Sequence, residues 1–293
     1  MSAPLPLPPV PDPFRLPFHY GALHQLGIDW LVDPGPVRDL LAKHHPDLTA
    51  AEFDGRALVS LNYQLYFAQY PFGGGITQEI EYSVIAFPTA DRDRLPELTY
   101  AQYAQGWDQT KLLGIARIHV VCDNPFAIRA GRELYAEPKR PGWFEVTLPS
   151  LNGPAGDTWT VHVNDAAIGG SDGPGRSDGP DTLDRHDAPL LDFTAALDGL
   201  RPAPANLAPV TGYGTTPDGR LLAGPMNVYH PYQWYDLTHH TDRTNLTVHS
   251  PTTPLGQDLT TLIGPAPAAG AWTYQSPPVA AHNRPYYVRP TTA

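Results

Sequence analysis

Cysteine is nearly absent from this 293-residue sequence, in which Cys122 is the only one. A single cysteine forms no intrachain disulfide and carries no metal-binding spacing. We therefore expect a reducing compartment, the cytoplasm, and a packing role for Cys122 in its apolar run. Basic residues are also scarce, with 19 against 30 acidic ones and a formal net charge of −11. This balance argues against nucleic acid or an anionic membrane as a partner.

Long apolar runs and several common site motifs are missing as well. No stretch approaches the ~18 uninterrupted apolar residues of a membrane helix, and the N-terminus lacks the basic start and apolar stretch of a signal peptide. The run Gly73-Gly74-Gly75 is followed by no Lys-Ser/Thr pair, and no GxSxG segment is present, which argues against a phosphate-binding loop and a serine hydrolase. The histidines at 230, 239, 240 and 249 lack HxH or HExxH spacing, so we expect no metal.

Proline is abundant instead, with 35 residues in the chain and seven within residues 1–17. Such a run favours extended polyproline II structure and predicts an N-terminal arm, which either crosses a neighbouring subunit or is disordered. Residues 164–190 are poor in apolar side chains and repeat Ser-Asp-Gly-Pro, which predicts a Gly/Asp-rich surface insertion rather than a calcium loop. We expect residues 18–293 to form a single domain.

Short strands dominate the predicted secondary structure. Apolar patterns predict a helix at 97–113 and a shorter one from Pro34 to about His45. Many short strands with few helices indicate an α+β domain with a mostly antiparallel sheet and packed helices. The predicted strands are 18–30, 58–67, 79–87, 115–122, a hairpin of 143–148 and 158–163, and pieces at 220–229, 234–240, 245–249 and 271–274.

A further helix is predicted to start at Asn124-Pro125, because asparagine is a good N-cap and proline suits the first helical position. Its apolar pattern continues to about Ala136, and Pro138 disfavours helix at the residue before it. Lys139 therefore follows the helix on a turn.

Lys139 is followed at once by a second cation, Arg140. A neighbouring cation and burial among apolar residues both favour the neutral amine, which is the form that reacts with carbonyl compounds. The helix C-terminus and the nearby Glu133 and Glu137 favour the charged form instead. A reactive Lys139 thus requires real desolvation.

The segment DNPFAIRAGRELYAEPKR, residues 123–140, resembles the signature of the acetoacetate decarboxylase superfamily. In that family the first cation of the pair forms a Schiff base with a keto acid. The resemblance implies that Lys139 is the Schiff-base lysine and that Arg140 takes the place of the second lysine, which lowers the pKa of the first. It also implies a closed, barrel- or cone-like β-sheet with the lysine inside, a reaction that needs no cofactor, and a homo-oligomer.

Two further catalytic residues are expected from the resemblance. A glutamate on the strand after the glycine-containing loop matches Glu79, with Gln78 as the alternative if the alignment shifts by one residue. Tyr135 is expected to border the pocket and to donate a proton or hydrogen bond to a substrate oxygen. Three features depart from the decarboxylases: arginine stands in place of the second lysine at 140, a second acidic position falls on Asn62, and their N-terminal arginine has no counterpart.

These departures favour aldol, dehydratase or cyclase chemistry on a small 2-oxo acid in specialised metabolism, carried out by a Schiff-base lyase through Lys139. Decarboxylation of an acetoacetate-type β-keto acid is the alternative. A third reading is a non-catalytic carboxylate-binding protein on the same fold, in which a protonated Lys139 pairs with the ligand.

Overall fold

The computed structural model describes residues 6–70, 73–149, 158–169, 182–228, 232–276 and 280–288. Within them, the α-helices are α1 (Pro34–His44), α2 (Tyr100–Ala104), α3 (Pro125–Tyr135) and α4 (Pro254–Leu262), with a 3₁₀ helix at Thr89–Arg94. The strands are β1 (Phe18–Val32), β2 (Leu48–Ala50), β3 (Glu52–Phe53), β4 (Arg56–Tyr70), β5 (Gly73–Pro88), β6 (Gly114–Cys122), β7 (Lys139–Thr147), β8 (Thr158–Gly169), β9 (Thr182–Ala196), β10 (Ala203–Ala205), β11 (Val210–Thr215), β12 (Leu221–Val228), β13 (Tyr232–Asp236), β14 (Thr244–Val248), β15 (Gly270–Ser276), β16 (Ala280–His282) and β17 (Tyr286–Tyr287). The predicted mostly antiparallel sheet with few helices is confirmed.

The strands curve around a common interior. Long antiparallel ladders join β1 to β4, β4 to β5 and β5 to β6. The remaining links around the interior are shorter. Strand β6 pairs with β11 in parallel through two residue pairs, and β16 pairs with β12 and with β1 through three residue pairs each. Because these ladders are so short, the sheet is not the regular hydrogen-bonded closed barrel that the resemblance implied.

A second group of strands, β7, β8, β9 and β14, extends from the first through β7. The predicted hairpin of 143–148 and 158–163 is present, since Phe144 lies opposite Val163 in the β7–β8 ladder. Its turn lies outside the described residues. The predicted insertion at 164–190 is partly regular structure, because β8 and β9 remain paired as far as Gly169 and Thr182. Residues 170–181 lie outside the described part of the chain.

Local sequence signals predicted the start of α3 correctly but overestimated the length of another helix. In α3 the Asn124 side chain accepts a hydrogen bond from Ala127 N at 3.1 Å, which is the predicted N-cap. The helix predicted at 97–113 was wrong beyond α2, because Gly106 has a φ of +87° and the following residues lead without a helix to β6. None of the described helices is long and apolar enough to span a membrane.

The described part of the N-terminal arm, residues 6–17, packs against α3 of its own chain. Phe14 is fully buried there, with its ring centroid 5.2 Å from that of Phe126. The Arg129 guanidinium lies over the Phe14 ring and also donates to the Asp12 carbonyl at 3.2 Å. These contacts fix the outer side of α3, whose other side borders the interior.

Candidate active site

Strand β5 places two carboxylates inside the sheet. Side chains alternate along a strand, so Glu79 and Glu81 share one face and Gln78 lies on the other. Both glutamates are 2% exposed. The backbone and side-chain nitrogens of Gln78 instead donate to the Asp123 carboxylate, at 2.7 and 3.1 Å. Of the two alternatives at this position, the structure places Glu79 in the interior.

Lys139 is the first residue of β7, and its side chain is 7% exposed. Its Nζ donates to Glu79 Oε2 at 2.6 Å and lies 3.3 Å from Glu137 Oε2. The Arg132 guanidinium holds the backbone by donating to the Lys139 carbonyl at 2.7 Å. The lysine therefore occupies a fixed, nearly dry position between two carboxylates.

Gly131 provides the space for this lysine. A Cβ at position 131 would lie 2.5 Å from Cδ and 2.6 Å from Cε of Lys139, closer than carbon atoms approach in proteins. A glycine in the interior of a helix costs about 1 kcal/mol relative to alanine. Gly131 thus makes α3 less stable than alanine would, but it leaves room for the Lys139 side chain.

Arg117, from β6, completes a buried network of charges. Its Nε donates to Glu81 Oε1 at 2.6 Å, and one of its terminal nitrogens lies 3.2 Å from Glu137 Oε1. The Gln64 side chain donates to Glu79 Oε1 at 3.0 Å and accepts from the Gln25 amide at 2.8 Å. The carboxyl groups of Glu79, Glu81 and Glu137 thus share two cations, Lys139 and Arg117. Because the carboxyl groups outnumber the cations, the network favours a bound proton on one of them.

The pKa values follow from burial and these neighbours. Burial raises the pKa of Glu81, and the opposing effect of Arg117 is not sufficient, so the pKa reaches about 7. Burial acts in the same direction on Glu137, but Lys139 and Arg117 outweigh it and lower the pKa of that carboxyl to about 2. Glu81 therefore exchanges a proton near neutral pH.

The charge state of Lys139 differs from the expectation. Burial alone would lower the pKa of the amine, but Glu79 and Glu137 raise it well above its usual value. Arg140 does not oppose this, because adjacent residues of a strand point to opposite faces. Its guanidinium lies 3.5 Å from the Asp165 carboxylate, outside the cavity around Lys139. The expected lowering of the Lys139 pKa by Arg140 is therefore absent.

Tyr135 borders the cavity as expected, but its hydroxyl already has a partner. It donates to the Asn283 carbonyl at 3.2 Å, and its ring stacks on that of His282 with centroids 3.9 Å apart. Burial raises the pKa of the phenol and lowers that of His282 to about 3, so both stay neutral. The Tyr66 hydroxyl contacts the charged network, donating to Glu79 Oε2 at 3.3 Å.

The structure thus brings together Lys139, Glu79 and Tyr135 around one cavity and leaves Arg140 outside it. Sequence reasoning missed Arg117 and His282. Arg117 had a signal, since it is a lone cation within the apolar strand 115–122, whereas His282 had none. The cavity is lined by aromatic residues and the charged network, namely Phe18, Tyr20, Gln64, Tyr66, Ala68, Tyr70, Glu79, Glu81, Arg117, Ala127, Ala130, Gly131, Tyr135, Glu137, Lys139, Met226 and His282.

Chemically, this arrangement offers an amine, an adjacent carboxylate able to take its proton, and a second carboxyl group that titrates near neutrality. Aromatic side chains form part of the cavity wall. A small molecule with a carbonyl group would meet a nucleophile and a proton carrier in the same enclosed space.

Neither a protein-family model nor a curated protein matches this chain in sequence. Solved structures match it in fold. The enduracididine biosynthesis enzyme MppR complexed with pyruvate has a TM-score of 0.62 at 14% identity, covering 97% of this chain and 92% of that chain. MppR with HEPES buffer bound has a TM-score of 0.61 at 15% identity, covering 96% and 88%.

Acetoacetate decarboxylase from Legionella pneumophila is also similar. Its TM-score is 0.55 at 13% identity, and the match covers all of this chain (100%) and 94% of that chain. At such low identity the likeness concerns the fold. The chain therefore has the acetoacetate decarboxylase-like fold that residues 123–140 indicated.

Proposed function

We propose that this chain is a Schiff-base-forming lyase that acts on a small 2-oxo acid through Lys139. The proposal depends on one observation: a buried amine lies 2.6 Å from a carboxylate, Glu79, inside a cavity. An amine with an adjacent base is what imine formation requires. One structure of MppR contains pyruvate and another the condensation product of pyruvate and imidazole 4-carboxaldehyde, which supports an oxo acid as the ligand class.

The steps follow from the ion pair. The Lys139 ammonium passes a proton to Glu79, and the free amine attacks the carbonyl carbon. A proton then moves from nitrogen to oxygen to give a neutral carbinolamine. Glu79 returns its proton to the hydroxyl oxygen, water leaves, and a cationic imine remains on Lys139. The positive nitrogen withdraws electrons from the neighbouring bonds, which is the common basis of aldol, dehydration and decarboxylation reactions.

We extend the proposal to aldol, dehydratase or cyclase chemistry in specialised metabolism. In these reactions, the Glu79 carboxylate takes a proton from carbon 3 of the imine to give an enamine. The enamine then attacks an aldehyde, whose oxygen takes that proton, or it expels a hydroxyl group from carbon 4, which leaves as water with that proton. The higher TM-scores to MppR than to the decarboxylase support this reading, as do Asn62 and Arg140, two positions at which the sequence departs from the decarboxylase pattern. No step requires a cofactor or a metal.

Decarboxylation of a β-keto acid is the second candidate, supported by the similarity to acetoacetate decarboxylases. A carboxylate-binding protein is the third. It is supported by the raised pKa of Lys139, which keeps the amine charged in the absence of a ligand.

Reductive trapping separates these functions. The sequence contains three lysines, Lys43, Lys111 and Lys139, so peptide mapping identifies the modified amine directly. The protein is incubated with pyruvate or acetoacetate and cyanoborohydride between pH 6 and 9. An enzyme gives the reduced adduct on Lys139, none on the exposed Lys43, and none in Lys139→Met.

Absence of an adduct with every oxo acid tested would favour the binding protein. If the adduct forms, release of carbon dioxide from acetoacetate identifies a decarboxylase. Condensation of pyruvate with an added aldehyde identifies an aldolase.

A further inference from the structure

A second cavity lies in the interior beyond the Lys139 site, and we call it the distal cavity. Four buried polar residues form one side of it: Asp29 on β1, Ser60 and Asn62 on β4, and Ser83 on β5. Three charged residues, Glu81, Asp108 and Lys111, also line the distal cavity. The rest of its wall is largely apolar and consists of Leu58, Ile85, Tyr103, Ala104, Leu113, Gly114, Ile115, Leu207, Val210 and Trp272.

The register of β4 and β5 gives its distance from the reactive amine. Glu79 lies opposite Gln64, Glu81 opposite Asn62, and Ser83 opposite Ser60. These residues share one face of the sheet, so Ser83 is four residues beyond the carboxylate that contacts Lys139. At about 3.3 Å per residue, this separation is roughly 13 Å. A three-carbon oxo acid bound to Lys139 does not reach that far.

A middle cavity lies between the two regions and borders both. It shares Gln64, Arg117 and His282 with the Lys139 site and Asn62 and Trp272 with the distal cavity. Glu81 borders all three. The interior face of β4 and β5 is thus a continuous polar surface that runs from the amine into the distal cavity.

Two buried polar atoms of this surface have no hydrogen-bond partner within the described structure, Asn62 Oδ1 and Ser83 Oγ. The two residues are 6% and 2% exposed. Most buried polar side-chain atoms in proteins are hydrogen-bonded, since leaving one unpaired is costly. Asn62 Oδ1 only accepts hydrogen bonds, so its missing partner is a donor.

The charges around the distal cavity also favour a donor. Asp29 accepts a hydrogen bond from the Tyr100 hydroxyl at 2.9 Å, and Asp108 accepts from Leu113 N at 3.0 Å. Lys111 is the one cation in this wall, and its Nζ points to the Leu207 carbonyl at 3.4 Å. The wall thus contains three carboxyl groups, Asp29, Glu81 and Asp108, against one cation, which disfavours a second carboxylate in the distal cavity.

We propose that the distal cavity binds the far end of an extended substrate, and that this end carries hydrogen-bond donors such as hydroxyl or amine groups. This inference rests on the proposed imine at Lys139, which fixes the near end. The span corresponds to a chain of roughly eight to ten atoms. The donor-bearing group belongs either to one long 2-oxo acid or to an aldehyde that condenses with a shorter oxo acid.

The test compares substrates that differ only at the far end. Reductive trapping at Lys139 is measured against concentration for 2-oxooctanoate and for 8-hydroxy-2-oxooctanoate. We expect the half-saturating concentration of the hydroxy acid to be about tenfold lower, the effect of one or two added hydrogen bonds. In a second arm, condensation of pyruvate is compared for hexanal and 6-hydroxyhexanal. A preference in the second arm alone identifies the aldehyde as the source of the donor.

Variants assign any preference to the distal cavity. Ser83→Ala removes one unpaired oxygen and Asn62→Ala the other, and each is expected to reduce the tenfold preference towards unity. Ser250→Ala is the matched control, because Ser250 donates to the Pro189 carbonyl at 2.7 Å and lines neither cavity. Thermal melts of all three variants show whether they fold.

These experiments distinguish failure of the distal-cavity proposal from failure of the proposed function. If pyruvate is trapped on Lys139 but the far-end hydroxyl gives no preference in either arm, the distal cavity holds only water and this inference is overturned. The same holds if Ser83→Ala and Asn62→Ala both fold and keep the preference. If no oxo acid is trapped at all, the proposed function itself fails.

Discussion

Replacing Glu79 with glutamine tests the proton transfer on which the proposed chemistry depends. The substitution keeps the shape of the side chain and an oxygen that accepts from Lys139, but it removes the negative charge. At the observed 2.6 Å and an effective dielectric constant of about 20, the attraction between the two charges is about 6 kcal/mol. Its loss lowers the pKa of the Lys139 amine, while Glu137, still in place at 3.3 Å, continues to raise it.

The pH dependence of imine formation reveals the change. In the native protein the proton moves from Lys139 to Glu79 without leaving the site, so the trapping rate at saturating pyruvate is expected to vary little between pH 7 and 9. In Glu79→Gln the proton must leave to solvent, and the rate should rise about tenfold per pH unit below the amine pKa. At pH 7 the variant should be slower by about 10²- to 10⁴-fold, the usual contribution of a positioned acid or base.

The assay is cyanoborohydride trapping followed by peptide mass analysis. Glu133→Gln is the matched control, because Glu133 pairs with Arg129 at 2.9 Å on the exposed side of α3 and does not contact Lys139. It should behave as the native protein does. A flat profile in Glu79→Gln, with a rate near the native one, would refute the reasoning and point to Glu137 as the base.

Three further predictions follow from the same geometry. Gly131→Ala should displace the lysine amine and slow trapping by about 10²-fold, as expected for a misplacement near 1 Å, while thermal melting changes little because the gain in helix propensity, about 1 kcal/mol, offsets the cost of the clash. Pyruvate affinity, measured by calorimetry, should fall by up to tenfold per unit as pH rises through about 7, because Glu81 then loses its proton and adds a negative charge beside an anionic ligand. Asp29 has a pKa raised to about 6 by burial, so its contribution to stability declines as pH rises from about 4 through 6. Over that pH range, the free energy of unfolding should therefore fall less in Asp29→Asn than in the native protein. The difference is up to about 3 kcal/mol and is measured by urea unfolding.

The sequence predicted those features of the fold that depend on neighbouring residues. The start of α3 followed from Asn124 and Pro125, whose capping and backbone preferences are local. Strand alternation put Glu79 and Glu81 on one face of β5, but it did not determine whether that face is buried or exposed. The false helix at 97–113 shows the limit of an apolar pattern, since a single left-handed glycine, Gly106, ends the element early.

The charge network could not be predicted in the same way. Lys139 and Arg140 are adjacent in sequence, and the assumption that they lie on a turn made them electrostatic neighbours. In the structure they begin a strand and diverge, and the cation that enters the site is Arg117, which pairs with Glu81 across the β5–β6 ladder. His282 reaches Tyr135 from the opposite end of the chain. Such contacts depend on which strands pair, which no short sequence pattern specifies.

The packing of Phe14 behind α3 has a practical consequence. A proline-rich leader is the usual segment to trim before crystallisation or expression, but here residues 6–17 support the helix whose inner side leaves room for the lysine. Removing them would uncover Phe126 and release Arg129 from the Asp12 carbonyl. If a protein shortened in this way folds but fails to bind an oxo acid, the loss of these contacts to α3 is the cause.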